Sequence, residues 1–249
     1  MRTVSVKSAA RILDVLEMLA GLQEGIGLNE LARRLDIPKS SASALIATLE
    51  GRGYVRSGPD GVVLVDAFRD GGWVGGEMAH LLRQARPAMQ RLSRQTGESC
   101  FLGTPTRTFE VQYVEKVVSE SALRYDADLS LIRPAYCTSI GLVLLAGLSN
   151  DLLDRYFQGR DLVQLTSKTV TDEAAIRRAV AKARRNGFAT ISDSHVLGTS
   201  GVSAPVRRQG RVVAGLAVIA PSERFAQQAS LNVEATVAAA RVLGQALDR

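Results

Sequence analysis

Apolar residues recur near the start of the chain with the period of an α-helix. They share one helical face: Ala9, Ile12, Leu13, Leu16, Leu19 and Ala20. This spacing predicts an amphipathic first helix with Ser8 as its N-cap. A second, shorter helix is predicted next, with Asn29 as its N-cap and with Leu31, Ala32 and Leu35 buried.

A third helix is predicted to begin near Pro38, because proline cannot continue the preceding helix but suits a new first turn. The residues predicted to be buried are Ala42, Leu45, Ile46 and Leu49. The outward positions are small or polar: Lys39, Ser40, Ser41, Ser43, Ala44, Ala47 and Thr48. Small side chains let a helix enter a major groove closely, and hydroxyls, helix-start amides and a lysine bond phosphates or base edges.

Two short strands follow the third helix. Residues 53–56 and 62–65 are joined by the tight turn Gly58-Pro59-Asp60-Gly61, which predicts a β-wing. A helix-turn-helix followed by a wing is typical of a unit that places one helix against duplex DNA. The alternative, a three-helix packing unit with solvated serines, accounts less well for the turn and the wing. The predicted DNA contacts are Arg11, Arg33, Lys39, Ser40, Ser41, Ser43, Ala44, Thr48, Arg52 and Arg56.

The net charge of the chain is weak evidence that its N-terminal region binds DNA. The net charge is +6, but residues 1–70 hold nine Lys/Arg and nine Asp/Glu, so the excess lies downstream. Five cations do cluster around the third helix and the wing, where they could neutralise phosphates: Arg33, Arg34, Lys39, Arg52 and Arg56. A solvated face of mixed charge is the alternative for any one of them.

Length and composition suit two domains, since 249 residues with 46% hydrophobic content can form two cores. No apolar run reaches the roughly 18 residues of a membrane span, and no signal-peptide pattern is present. We therefore expect a cytoplasmic protein without membrane association. Two cysteines, Cys100 and Cys137, and two histidines, His80 and His195, are too few for a disulfide framework or a structural zinc site, so we expect no metal or cofactor.

Four glycines within residues 66–77 indicate a linker, which could act as a hinge or allow close helix packing. A helix over 79–96 follows, with Arg83, Arg86, Arg91 and Arg94 and no acidic residue from Met78 to Thr96. The remaining pattern is α+β. Strands are predicted over 99–104, 109–117, 122–126, 188–193, 201–207 and 212–219, and helices over 138–148, 172–186 (capped by Thr171) and 233–247.

The chain resembles IclR-type transcriptional regulators over nearly its whole length. The residues that carry the resemblance are Val6–Glu17, Leu28–Leu35, Pro38–Val55, Ala85–Pro87, Tyr136–Gly141, Thr169–Asp172 and Gly201–Val206. The resemblance implies a winged helix-turn-helix domain over 1–66, a linker helix over 67–82 and a GAF/PAS-like effector-binding and oligomerisation domain over 83–249. It further implies a homodimer or dimer of dimers on palindromic double-stranded DNA.

The chain departs from the family pattern at informative positions. Ser43-Ala44 replaces a common His-Arg pair, and Val62-Val63 replaces a wing strand that is often basic. Apolar or small residues also replace polar ones in the predicted effector pocket, at Ile191, Gly201, Ala217 and Ile219. We therefore expect a less polar pocket, which suits an effector more apolar than a short keto acid, such as an aromatic acid or a related acyl compound.

Residues 138–141 open a predicted helix, whose amides can hold an anionic or carbonyl group. With the resemblance, the predicted effector contacts are Tyr125, Arg133, Thr138, Ser139, Ile140, Gly141, Ile191, His195, Gly201, Ser203 and Ala217. For His195 an exposed loop histidine is an equal alternative, and Arg133 could be a surface charge.

These observations favour a ligand-responsive DNA-binding regulator, and a repressor of a catabolic operon more than an activator. A cysteine-dependent enzyme using Cys137 and His195 is one alternative, but no third orienting residue stands at a recognisable spacing. An effector-independent architectural DNA-binding protein is another. It is disfavoured because about two thirds of the chain forms a separate domain.

Overall fold

The computed structural model describes residues 7–20, 22, 24–58, 61–64 and 76–248, and the chain divides into two units between Leu81 and Leu82. The described residues of the N-terminal unit before the linker form three helices and a two-stranded sheet. They are α1 (Lys7–Ala20), α2 (Leu28–Arg34), α3 (Lys39–Gly51), β1 (Val55–Gly58) and β2 (Gly61–Leu64). Most of the glycine-rich linker predicted over 66–77 lies outside the described residues, and the domain limits at 66 and 82 stay predictions.

The core of the N-terminal unit corrects the predicted face of α1. Val15, Leu16 and Leu19 are buried, whereas Leu13 is 52% exposed. The apolar stripe is wide enough for two faces, and packing against α2, α3 and the wing selects the one centred on Val15.

Both N-caps predicted for α1 and α2 are wrong. Ser8 lies within α1, and Asn29 lies within α2, whose N-cap is Gly27 and makes no side-chain hydrogen bond. Helix α2 begins before Asn29, and its first residue, Leu28, is partly buried against the core.

The wing is anchored to the chain segment before α2. Val55 pairs with Leu64 and Gly58 with Gly61 in antiparallel register. Ile26 extends this sheet, because its N–H donates to the Val62 carbonyl (3.1 Å) and its carbonyl accepts from the Val62 N–H (2.8 Å). Gly61 has φ +102, and a Cβ there would lie 2.5 Å from the Ile26 carbonyl oxygen, so only glycine fits.

The C-terminal unit is mixed α and β, as predicted. Its elements are α4 (Gly76–Thr96, which begins before the unit boundary), β3 (Ser99–Pro105), β4 (Val111–Val117), β5 (Ile132–Arg133), α5 (Ser139–Ala146), α6 (Asn150–Phe157), α7 (Glu173–Asn186), β6 (Ala189–Ser192), β7 (Thr199–Arg208), β8 (Arg211–Pro221), α8 (Ser222–Gln227) and α9 (Ala229–Leu247). The six strands form one antiparallel sheet in the order β5-β4-β3-β8-β7-β6.

Helix α5 lies against the centre of this sheet and brings the site residues to it. Ile140 is fully buried, and its side chain occupies the space that Gly103 of β3 and Gly215 of β8 leave open. Helix α9 packs along β7, where Gly244 approaches the backbone of Arg207.

Two predicted elements of this unit need correction. The strand predicted over 122–126 is an irregular loop, because its polar groups bond to side chains instead of a neighbouring strand: Arg224 donates to the Leu123 carbonyl at 2.9 Å. The N-cap of α7 is Asp172, whose carboxylate accepts from the Ala175 N–H at 2.7 Å, and not Thr171. Helices α6 and α8 and the two-residue strand β5 were not predicted.

None of the helices in the described part of the chain has the length and apolar character needed to cross a membrane.

Candidate DNA-binding and effector sites

The face of α3 predicted to meet DNA points to solvent. Six of the seven outward residues are exposed and Ser41 is half-buried, while Ala42, Ile46 and Leu49 hold the opposite face in the core. Pro38 is the N-cap and makes no side-chain hydrogen bond, so no side chain covers the first amides of the helix. The hydroxyl of Thr48 donates to the Ala44 carbonyl at 2.8 Å, so it is committed to its own helix.

The cations around α3 fall into two groups. Arg33 and Arg34 of α2 both pair with Glu30, at 2.6 Å and 2.8 Å. Hydrogen bonds from Arg34 and then Arg33 lower the pKa of Glu30. The second group is exposed and makes no ion pair among the described residues: Arg11, Lys39, Arg52 and Arg56. This second group is available to phosphates, whereas the trio on α2 carries one net positive charge.

Glu50 connects α3 to the wing. Its carboxylate accepts from the backbone N–H of Ser57 on β1 at 2.9 Å. Between the two elements lies an open cleft of about 380 Å³, lined among others by Ser43, Ala47 and Glu50 of α3 and by Ser57 and Gly58 of the wing. The wing is therefore held at a fixed distance from the serine face of α3.

The predicted effector residues on α5 form a buried polar group. Thr138 is the N-cap of α5 and accepts from the Gly141 N–H at 3.1 Å. The hydroxyl of Ser203 on β7 donates to that of Ser139 at 2.7 Å, and both residues are buried. A Cβ on Gly141 would lie 2.1 Å from the Ala135 carbonyl oxygen, so glycine allows the backbones to touch here.

The sheet places most other predicted residues beside this pair. Ser203 pairs across the sheet with Ala217, Ala217 pairs with Phe101, and Gly201 pairs with Ile191. A Cβ on Gly201 would stand 3.5 Å from the Ser139 hydroxyl. Directly paired residues share one face of a sheet, so these positions lie on the side that faces α5.

Arg133 is the most unusual of the predicted effector residues, because it is buried with only 4% of its surface exposed. Its guanidinium donates to the carbonyls of Leu131 and Asp128, both at 2.7 Å, and stacks over the ring of Tyr113 at 4.1 Å. The carboxylate of Asp128 is directed to the Ser130 N–H instead, at 2.8 Å. Arg133 forms no ion pair with a carboxylate of the described residues, and its burial shows that the alternative of a surface charge is wrong.

Tyr113, the ring under this arginine, belongs to a group of three aromatic residues. Phe101 packs against Tyr113 with ring centroids 5.1 Å apart, and against Tyr125 edge-on at 5.5 Å. Sequence reasoning named Tyr125 but missed Phe101 and Tyr113. An aromatic residue on a predicted strand usually indicates core, and nothing near it in sequence signals an arginine partner.

His195 is half-buried, in the loop between β6 and β7. Threonine hydroxyls hold this loop: Thr169 donates to the Ser194 carbonyl and Thr166 to the Asp193 carbonyl, both at 2.6 Å. Burial first, and the charge of Arg133 second, lowers the pKa of His195. Both effects favour the neutral imidazole over the charged one.

The cysteine chemistry considered from the sequence finds no support in the geometry. Both cysteines are buried, and burial raises the pKa of Cys137 to about 12. A nucleophilic thiol needs a lowered pKa instead. The described residues contain no cluster of three His, Cys, Asp or Glu side chains that could hold a metal ion.

Both halves of the chain match models of known protein families. A model of the IclR helix-turn-helix domain matches residues 8–59, and one described as bacterial transcriptional regulator IclR C-terminal matches residues 77–248. The Escherichia coli K12 regulator KdgR is 28% identical over 227 residues, which cover 90% of this chain and 86% of KdgR.

Two crystal structures of relatives share the fold. An IclR homolog from Microbacterium hydrocarbonoxydans complexed with 4-hydroxybenzoate has a TM-score of 0.64 at 25% identity, covering 96% of this chain and 98% of the homolog. The C-terminal domain of E. coli KdgR has a TM-score of 0.61 at 27% identity, covering 68% of this chain and 99% of that domain. The predicted α+β architecture, with an N-terminal helix-turn-helix domain and a C-terminal effector-binding domain, is confirmed.

Proposed function

The chain belongs to the IclR family of bacterial transcriptional regulators, and from this premise we propose that it binds a palindromic operator and a small aromatic carboxylate. The proposed outcome is repression of a catabolic operon in the bacterial cytoplasm, relieved by the effector. A homodimer or a dimer of dimers is the proposed assembly, because two-fold protein symmetry matches two inverted half-sites.

In the proposed DNA complex α3 enters the major groove. Its outward residues Ser40, Ser41, Ser43 and Ala44 are small enough for close approach and read base edges and the thymine methyl group. Lys39 and the first amides of α3 bind phosphate, with Arg52 and Arg56 contacting the backbone beside the wing. Thr48 contributes to the shape of the DNA-binding surface and not a hydrogen bond to DNA, because its hydroxyl already donates to the Ala44 carbonyl.

The buried guanidinium of Arg133 carries the effector proposal. A buried charge is costly without a counter-charge, and only two of the five N–H donors of Arg133 are used by described residues. A carboxylate would accept from the remaining donors in the planar geometry that guanidinium favours. The fit to an anion follows from this arginine and does not depend on the helix start at Thr138.

The remaining part of the effector is proposed to be aromatic. Tyr113 lies against Arg133 and packs with Phe101, which packs edge-on with Tyr125. Ile191 and Ala217 supply apolar positions on the same sheet. The Ser139–Ser203 pair offers hydroxyls to a second polar substituent of the ring. The Microbacterium relative, which was crystallised with 4-hydroxybenzoate, supports this class of ligand.

A selection experiment tests the DNA half of the proposal. The full-length protein is incubated with a pool of random-sequence duplexes, and the bound duplexes are amplified and sequenced over several rounds. We expect enrichment of two inverted half-sites spaced by about one helical turn or a multiple of it. A pool that stays random at physiological salt would overturn specific binding.

Matched ligand pairs test the effector half. Thermal unfolding of the full chain is followed with 4-hydroxybenzoate and benzoate, and with their neutral amides 4-hydroxybenzamide and benzamide as controls. A ligand that binds only the folded state raises the midpoint. We expect stabilisation by the acids and not by the amides, and release of the selected duplex by the stabilising acid. Equal effects of acid and amide would exclude the arginine-carboxylate contact.

A further inference from the structure

Helix α4 carries an exposed face of arginines that the effector site does not use. Arg83, Arg91 and Arg94 are exposed on one side, while Leu81 and Leu92 are among the residues that bury the other side. No acidic residue occurs from Met78 to Thr96. Arg83 and Arg94 are eleven residues apart, so the three cations extend over about 16 Å of helix. We call this surface the cationic face of α4.

The charge of this face is not neutralised within the described part of the protein. Arg86, at its border, pairs with Glu115 at 3.1 Å. Arg83, Arg91 and Arg94 have no carboxylate within ion-pair distance among the described residues. Glu120 lines the groove beside Arg94 but forms no ion pair with it. Three like charges on one helix repel each other and favour an extended anion over a single carboxylate.

We propose that the cationic face of α4 is a second, sequence-independent DNA contact that binds the phosphate backbone. Residues 1–70 are electrically balanced, so the whole excess of +6 lies after them, although the helix-turn-helix is the unit that reads DNA. This inference rests on the proposed DNA-binding function.

The experiment needs no knowledge of the operator, because the contribution of phosphate contacts to affinity does not depend on the DNA sequence. Binding of the full-length protein to a random-sequence duplex of about 40 base pairs is measured by fluorescence anisotropy at several KCl concentrations. The test variant is Arg83→Gln/Arg91→Gln/Arg94→Gln. A matched control, Arg155→Gln/Lys182→Gln/Arg185→Gln, removes the same charge from exposed positions on α6 and α7. A third variant replaces the three arginines of α4 by lysine.

We expect the slope of log affinity against log salt to fall by about two to three in the α4 glutamine variant, and affinity near 0.1 M salt to fall by about tenfold or more. The control and the lysine variant should keep the wild-type slope, because each phosphate contact needs a local charge. A wild-type slope in the glutamine variant, or an equal loss in the control, would overturn this inference. Absence of duplex binding by the wild-type protein would instead overturn the proposed function.

Discussion

In the N-terminal unit Lys39, Arg52 and Arg56 stand in solvent, whereas in the C-terminal unit Arg133 lies inside the fold with 4% of its surface exposed. The exposed cations lie around α3 and the wing and form no ion pair among the described residues. The buried one is fixed by two carbonyls and by the ring of Tyr113.

This difference separates recognition of a polyanion from recognition of one small anion. An exposed cation costs little to keep, contributes little alone and is screened by salt, so affinity arises from many contacts along DNA. A buried cation lies in a low dielectric, where a single correctly placed carboxylate has a large effect that salt hardly screens. Salt should therefore weaken DNA binding steeply and effector binding only slightly.

The largest expected effect comes from Arg133→Met, which removes the buried charge and keeps an apolar side chain. We expect affinity for 4-hydroxybenzoate to fall by at least about 100-fold, since breaking a buried ion pair costs about 3–5 kcal/mol. Calorimetric titration of the full chain measures the loss. DNA affinity in the absence of effector should be unchanged.

Two variants sharpen this test. Arg155→Met makes the same replacement at an exposed position of α6 and should bind the acid like the wild type. Arg133→Lys keeps the charge but loses the planar donor pair, so intermediate affinity is expected. Wild-type affinity in Arg133→Met would show that the effector is held elsewhere.

A smaller, sequence-independent effect is expected for Lys39→Gln/Arg52→Gln. Each exposed cation that meets a phosphate contributes about one to the salt slope, so the double variant should lose about two. Affinity should fall for every duplex by a similar factor, as measured by anisotropy at several salt concentrations. By contrast, Ser43→Ala should change the order of preference among duplexes and leave the slope alone. A wild-type salt slope in the double variant would show that Lys39 and Arg52 do not contact DNA phosphates.

Glu30→Gln tests the paired cations, with an expected gain of a few-fold. The change removes the carboxylate that Arg33 and Arg34 share, so two guanidinium groups become available to phosphate. Random-sequence duplexes should bind more tightly and with a salt slope steeper by about one to two. Fold stability should change little, because water and salt screen exposed ion pairs. Weaker DNA binding would instead mean that Glu30 positions the two arginines.

Local patterns were sufficient to predict much of the N-terminal unit. The outward residues of α3 were identified because helical period and the break at Pro38 are local properties, and the wing followed from its turn sequence. The face of α1 was misassigned at Leu13, because its apolar stripe fits two orientations and only packing selects Val15.

The effector site depends more on distant residues. Arg133 was named from the resemblance, but its burial depends on β5, a two-residue strand whose pairing with β4 has no sequence signal. Tyr113, its stacking partner, lies on that neighbouring strand. The loop that carries Tyr125 is held by Arg224, 101 residues from the Leu123 carbonyl that accepts its hydrogen bond. Periodicity could not reveal contacts of this range.

The smallest expected effect concerns His195, whose pKa is lowered by burial and by the charge of Arg133. The unfolded chain therefore binds this proton more readily than the folded one, so folding stability is full above about pH 6.5 and falls as the pH drops toward the lowered folded pKa. Urea unfolding at several pH values measures this loss, and His195→Gln should remove part of it.

A bound carboxylate offsets the charge of Arg133 and should raise the pKa of His195, so effector binding should take up protons in the same pH range. Calorimetry in buffers of different ionisation enthalpy detects that uptake. An uptake that persists in His195→Gln would assign it to another group.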